Sequence, residues 1–145
     1  MANKRKRFRW KVGNVVEIAL PDGTFAYGRL MEDAAVAFYR WRSAASDDPP
    51  IGSRDYEFIV GVEYAAVREW PVVGYDPAGA GEDDWPPPSF IRDPLNSEYS
   101  IYDHGNIYPS TRAACHGLEE AAVWSANHIT DRLMGDHRWE PDDQP

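Results

Sequence analysis

From Val15 to Leu20 the chain alternates. Val16, Ile18 and Leu20 fall on one side of an extended backbone, and Val15, Glu17 and Ala19 on the other. That period of two predicts a strand with one apolar face. "LPDG" (20–23) follows with turn chemistry: Pro21 presets φ, Asp22 suits the next position, and Gly23 tolerates positive φ. "TFAYGRLM" (24–31) predicts a second strand in which Gly28 marks a bulge or bend. "AVAFYRW" (35–41) predicts a third. Tight turns between short strands, one kinked at glycine, predict a strongly curled antiparallel meander of the kind that opens small SH3-like barrels.

Beyond it, "SAASDDPPIGSRD" (43–55) reads as a polar loop, "YEFIVGVEYAAV" (56–67) as a strand whose end can turn helical, and "WPVVGY" (70–75) as a short strand. "DPAGAGEDDWPPPS" (76–89) has the composition of an exposed loop, and its three prolines favour polyproline geometry and deny donors to a sheet. "SFIRD", "EYSIYDH" and "NIYPS" are short β runs separated by turn residues. Ser110 is the expected cap of a short helix over "TRAACH", and "AAVW" (121–124) an expected last buried strand. Ser125 is expected to cap a final helix on which Ala126, Ile129 and Leu133 keep helical spacing, with Gly135 ending it. The fold class is α+β: a small, partly open SH3-like barrel followed by two short C-terminal helices.

The length of 145 residues predicts one domain. Residues 1–10 read as a flexible basic arm, 11–136 as a single domain, and 137–145 as a disordered tail. Charge sharpens that division. Six of the 15 Lys and Arg are Lys4, Arg5, Lys6, Arg7, Arg9 and Lys11, while every Asp and Glu lies at Glu17 or beyond. From Val12 onward, 9 basic side chains face 24 acidic ones, a formal balance of −15. Such a body repels phosphate backbones, so no nucleic acid is expected on the folded part. The one cysteine, Cys115, forms no internal disulfide, which fits a reducing compartment. The basic start is not followed by an apolar run long enough for a signal peptide or a membrane span, so cytoplasmic residence and no membrane partner are expected.

Motifs for chemistry are missing. Cys115 and His116 are neighbours, but adjacent residues on a helix point about 100° apart, so His116 is a poor base for the thiol. His128 and Asp131 can share a helix face, yet zinc sites need more ligands at tighter spacing, and CxxC, HxxxH and HExxH are all absent. Glu119–Glu120 and Asp47–Asp48 are adjacent acids, and nothing in the sequence shows one desolvated enough to shift its pKa. Neither a phosphate loop nor GxSxG occurs. No catalytic residue, metal or cofactor is assigned, and the expectation is a protein that is not an enzyme. What stands out is acids interleaved with aromatics: Asp83 and Asp84 beside Trp85, and Asp103 beside Tyr99 and Tyr102. Trp and Tyr carry much of the energy of protein interfaces, and charged neighbours steer the partner. Those six are the candidate contact residues.

"VGNVVEIALPDGTFAYGRL", "VAFY", "WPVVG", "PPPSFIRDPLNSEYSIY" and "CHGLEEAAVWSANHITDRL" occur in that order over roughly residues 11–134. With them the chain resembles the immunity protein 26 family of bacterial polymorphic toxin systems. The basic arm, the 43–55 loop and the tail after Gly135 depart from that pattern. The resemblance implies a small cytoplasmic protein that neutralises a cognate toxin by stoichiometric binding. The toxin would be made from an adjacent gene, and a basic nuclease would suit the acidic body. It implies no catalysis and carries over no contact residues. The first alternative is a nucleic-acid-binding SH3-like module using the basic arm. The second is a small hydrolase using Cys115 with a distant His104 or His128.

Overall fold

The computed structural model describes residues 8–136 and 138, so most of the expected arm and tail lie outside the described residues. Strands dominate. β1 (Asn14–Ala19), β2 (Phe25–Leu30), β3 (Ala35–Ser43) and β4 (Tyr56–Val62) form an antiparallel centre. β5 (Val72–Tyr75) adds beside β1, and a short α1 (Tyr64–Val67) follows β4. β6 (Ser89–Arg92), β7 (Tyr99–Asp103), β8 (Asn106–Ser110) and β9 (Glu119–Glu120) make a second sheet in the order β8-β7-β6-β9. β10 (Val123–Trp124) returns to the first, whose order is β10-β4-β3-β2-β1-β5. α2 (Ala126–Leu133) closes the described chain.

The α+β class stands, but one curled antiparallel sheet does not. There are two sheets, each mixed by one parallel pair, β4 with β10 and β6 with β9, and neither closes into a barrel. The cause is the segment 119–124, which pairs first with one sheet and then with the other. Strands of two residues carry no readable period, so the pattern gives no strand at 119–120. The expected buried strand over 121–124 is correspondingly only Val123–Trp124, and Val123 is 70% exposed. The expected helix over "TRAACH" is a single 3-10 turn at Ala113–Cys115 whose N-cap position is Arg112, and the hydroxyl that accepts from its Ala114 N–H is that of Thr111, at 3.1 Å, not Ser110.

The first sheet is buried on both faces, which is why Val15 and Val16 are apolar in succession. Val16, Ile18, Leu30, Phe38 and Phe58 pack with α1 and α2, whose Ile129 and Leu133 are buried as their spacing predicts. Ser125 caps α2 through the His128 N–H. Phe8 and Trp10, from the stretch read as an arm, pack against this cluster, and the Trp10 indole N–H donates to the Met31 carbonyl at 2.8 Å. On the other face Val15, Tyr27 and Tyr39 form a second cluster. Charge is buried there too. The Glu17 carboxylate accepts from the Tyr27 hydroxyl (3.0 Å), the Ser46 hydroxyl (2.8 Å) and the Asp47 N–H (2.6 Å). It thereby pins the 43–55 loop over that face.

At the open edge of the second sheet, β7 and β8 close on a turn whose two residues, His104 and Gly105, both have positive φ (48° and 81°). That is the turn whose twist matches a two-residue hairpin. Counting from it, Asn106, Tyr108 and Ser110 bond inward to β7, and Ile107 and Pro109 face the open edge. Pro109 therefore removes a donor where another strand would otherwise add.

Gly28 is the tightest approach in the core. A Cβ there would lie 2.6 Å from Val36 Cγ1 and 3.4 Å from Phe38, beside the irregular register of β2 on β3. Gly28→Ala is expected to destabilise by about 1–3 kcal/mol through overpacking. Thermal denaturation followed by circular dichroism should show a lower Tm with the fold retained.

Candidate functional site

Buried guanidiniums place the surface loops. Arg29, on β2, is 2% exposed; its Nε donates to the Asp76 carbonyl at 2.6 Å and its Nη2 to Asp84 Oδ1 at 2.5 Å. The Asp76 carboxylate accepts from the Tyr39 hydroxyl (2.6 Å), the Gly52 N–H (3.0 Å) and Arg54 (3.0 Å). Burial pushes the Asp76 pKa up, but these three donors outweigh it and hold the group below the usual carboxylate range. Burial, then the neighbouring Asp76, drives the Tyr39 phenol far above its ordinary value. On α2, Arg132 is 5% exposed, lies over the Phe58 ring and grips Glu119 of β9 with two bonds of 2.7 and 2.8 Å. Both arginines reach from the first sheet and its helices toward the second.

These tethers divide the acids of "EDD". Glu82 accepts from Arg54 at 2.6 Å, and Asp84 from Arg29. Asp83 points the other way, onto His104 at the β7–β8 tip. The second ring nitrogen of His104 meets Asp103 at 2.5 Å. Only imidazolium can donate at both nitrogens, so the geometry selects the charged form. Asp103 first, then Asp83, raises the His104 pKa, while His104 and the Trp85 N–H lower that of Asp83. Trp85, half-buried, stacks on the imidazole with ring centroids 5.3 Å apart. The two carboxylates flank the ring on separate sides and share no point for a cation. Among the described residues no group of three or more His, Cys, Asp or Glu is arranged to hold a metal.

Of the six candidate residues, then, Asp83, Trp85 and Asp103 meet in one outward cluster. Asp84 is drawn in to Arg29. Tyr102 and Tyr99 lie on opposite faces of β7, because side chains alternate along a strand. Tyr102 donates to Asp33 on the β2–β3 turn at 2.7 Å. Tyr99 shares its face with Arg92 and Ser110, its cross-strand neighbours, in a separate shallow concavity. In the sequence His104 enters only as a distant base for Cys115. Its place in "YDHGN", between two β runs, was the signal for an exposed hairpin tip. Arg29 could also have been read, since a charge at an apolar strand position needs a buried partner. Cys115 is 4% exposed.

A family model described as immunity protein 26 matches residues 11–101, nearly two-thirds of the chain and ending within β7. The 115–133 stretch of the resemblance lies beyond that match. No curated protein and no solved structure matches the chain. Among the described residues, no helix is long and apolar enough to cross a membrane.

Asp84→Ala leaves part of the buried Arg29 charge unpaired and is expected to destabilise by about 2–3 kcal/mol, whereas Asp83→Ala, at a solvent-exposed pair, is expected to leave the unfolding midpoint almost unchanged. Urea denaturation of the two variants checks the contrast. His104 has a raised folded pKa, so what its charged form contributes is complete below the ordinary value near ~6.5 and is lost as pH rises through the raised one. An NMR titration of its ring protons should show a midpoint above the ordinary value, lowered more by Asp103→Asn than by Asp83→Asn.

Proposed function

The chain belongs to the immunity protein 26 family, and on that premise we propose that it neutralises a cognate toxin by binding it stoichiometrically. It contributes surface and charge to this and no reacting group. The toxin is a protein encoded by an adjacent gene, and the acidic body suits a basic one such as a nuclease. Cytoplasmic residence follows from guarding the producing cell.

The observation that carries this reading is the family match over residues 11–101. The outward cluster supplies its contact surface: Trp85 as a half-buried aromatic anchor, flanked by Asp83, His104 and Asp103. Asp84 serves it from within by holding the loop, and Tyr102 extends it toward the first sheet. A standard interface takes about 800 Å² from each partner. That is roughly a tenth of the 9164 Å² surface of this chain, enough to include the cluster and the proline run. Neither alternative gains a feature. Both His104 nitrogens are occupied by carboxylates, and Cys115 is buried. Lys4 to Arg7 lie outside the described residues.

Co-expression with the neighbouring toxin should rescue growth, and calorimetry should give a one-to-one complex. Trp85→Ala and Asp83→Ala are expected to weaken that complex about 10–30-fold each. Added salt should slow association. A toxin that kills equally with and without this protein refutes the reading.

A further inference from the structure

Between the two sheets runs a groove of about 830 Å³, within the range of pockets that hold compact ligands. The first sheet contributes Ile59 on β4 and Val123 on β10, the second Ile91 and Ile107, and the connecting segment Pro86–Pro88. Strand alternation puts Ile91, Tyr102 and Ile107 together on the inward face of the second sheet. Ile107 and Val123 are 64% and 70% exposed, aliphatic surface left in water at the lips. Among the described residues, the charged ones in the lining are Asp33, Glu119 and Glu120. Glu119 is neutralised by Arg132, whereas among the described residues Asp33 receives only the neutral Tyr102 hydroxyl. Glu120 has no cationic partner among the described residues. The three prolines lack N–H groups and offer carbonyl acceptors alone.

An apolar floor would accept many occupants, and the charge of the rim selects one. We propose that the groove receives an extended segment of the partner protein, an apolar side chain flanked by Lys or Arg. The apolar group covers Ile107 and Val123, and the flanking cations meet Asp33, Glu120 and the proline carbonyls. The body of a second copy, with a formal balance of −15 from Val12 onward, would be repelled by an acidic rim. Strand addition on β8 meets the missing donor of Pro109. Recognition is therefore by side chains. That the partner is a toxin rests on the family reading; the specificity of the groove does not.

The full chain is titrated, with NMR detection, against acetyl-Lys-Leu-Phe-Lys-amide, acetyl-Glu-Leu-Phe-Glu-amide and acetyl-Lys-Gly-Gly-Lys-amide. Saturable shifts at Ile59, Ile91, Ile107 and Val123 are expected with the first peptide. Binding should be at least about tenfold weaker with either of the others. Val123→Arg and Ile107→Arg, at exposed positions that keep the fold, should abolish the shifts. Glu120→Lys should move the preference toward the Glu-flanked peptide. Equal binding of the Lys- and Glu-flanked peptides, shifts confined to other surfaces, or no saturable shift overturns the proposal. So does a dimer that closes over Ile107 and Val123. Rescue from the adjacent toxin with an unresponsive groove retires the groove alone. A responsive groove without rescue retires the toxin reading alone.

Discussion

A guanidinium sealed from water must find oxygen acceptors in the protein, and two such groups organise this molecule. Arg29 rises from a strand whose neighbours are apolar, and Arg132 from the buried side of α2. Stripped of water, each would cost several kcal/mol if left unpaired. Their acceptors come from elsewhere in the chain: the Asp76 carbonyl and the Asp84 carboxylate for one, Glu119 for the other. Asp84 immediately precedes Trp85 and the prolines that lead to β6, and Glu119 is part of β9. The requirement of two cations for anions thus fastens the second sheet to the first at both ends of its sequence.

The exposed surface inherits its shape from these tethers. With Glu82 and Asp84 drawn to Arg54 and Arg29, Asp83 is left to face the β7–β8 tip, where His104 bridges it to Asp103. Trp85, the next residue, lies half-buried on the imidazole. Pro86–Pro88 run on as a stiff spacer and become one wall of the groove. Surface loops are ordinarily mobile. These are braced by buried charge, which on the proposed reading lowers the entropy lost when a partner binds.

Local pattern was sufficient for the hairpins and the last helix. The alternation in β1, the turn at "LPDG" and the spacing of Ile129 and Leu133 are each set within a few residues. It was insufficient for β9 and β10, which exist only because β6 and β4 offer edges to them. The acids and aromatics of the candidate site were visible as a composition, but their division was not. Tyr99 and Tyr102 look like one patch until the strand turns them to opposite faces. Asp83 and Asp84 look alike until one meets Arg29 and the other His104.

The sequence by itself determined the α+β class, the order of the main strands, the acidic body and the family. All of these depend on local periodicity, on summed charge or on motif order, which need no knowledge of what packs on what. Tertiary structure alone decided that the sheets are two and open, that Arg29 and Arg132 are buried, and that the acids divide into tethers and surface. Those outcomes depend on which groups lose water together. Such partners stand 55 residues apart for Arg29 and Asp84, a distance over which no local pattern holds.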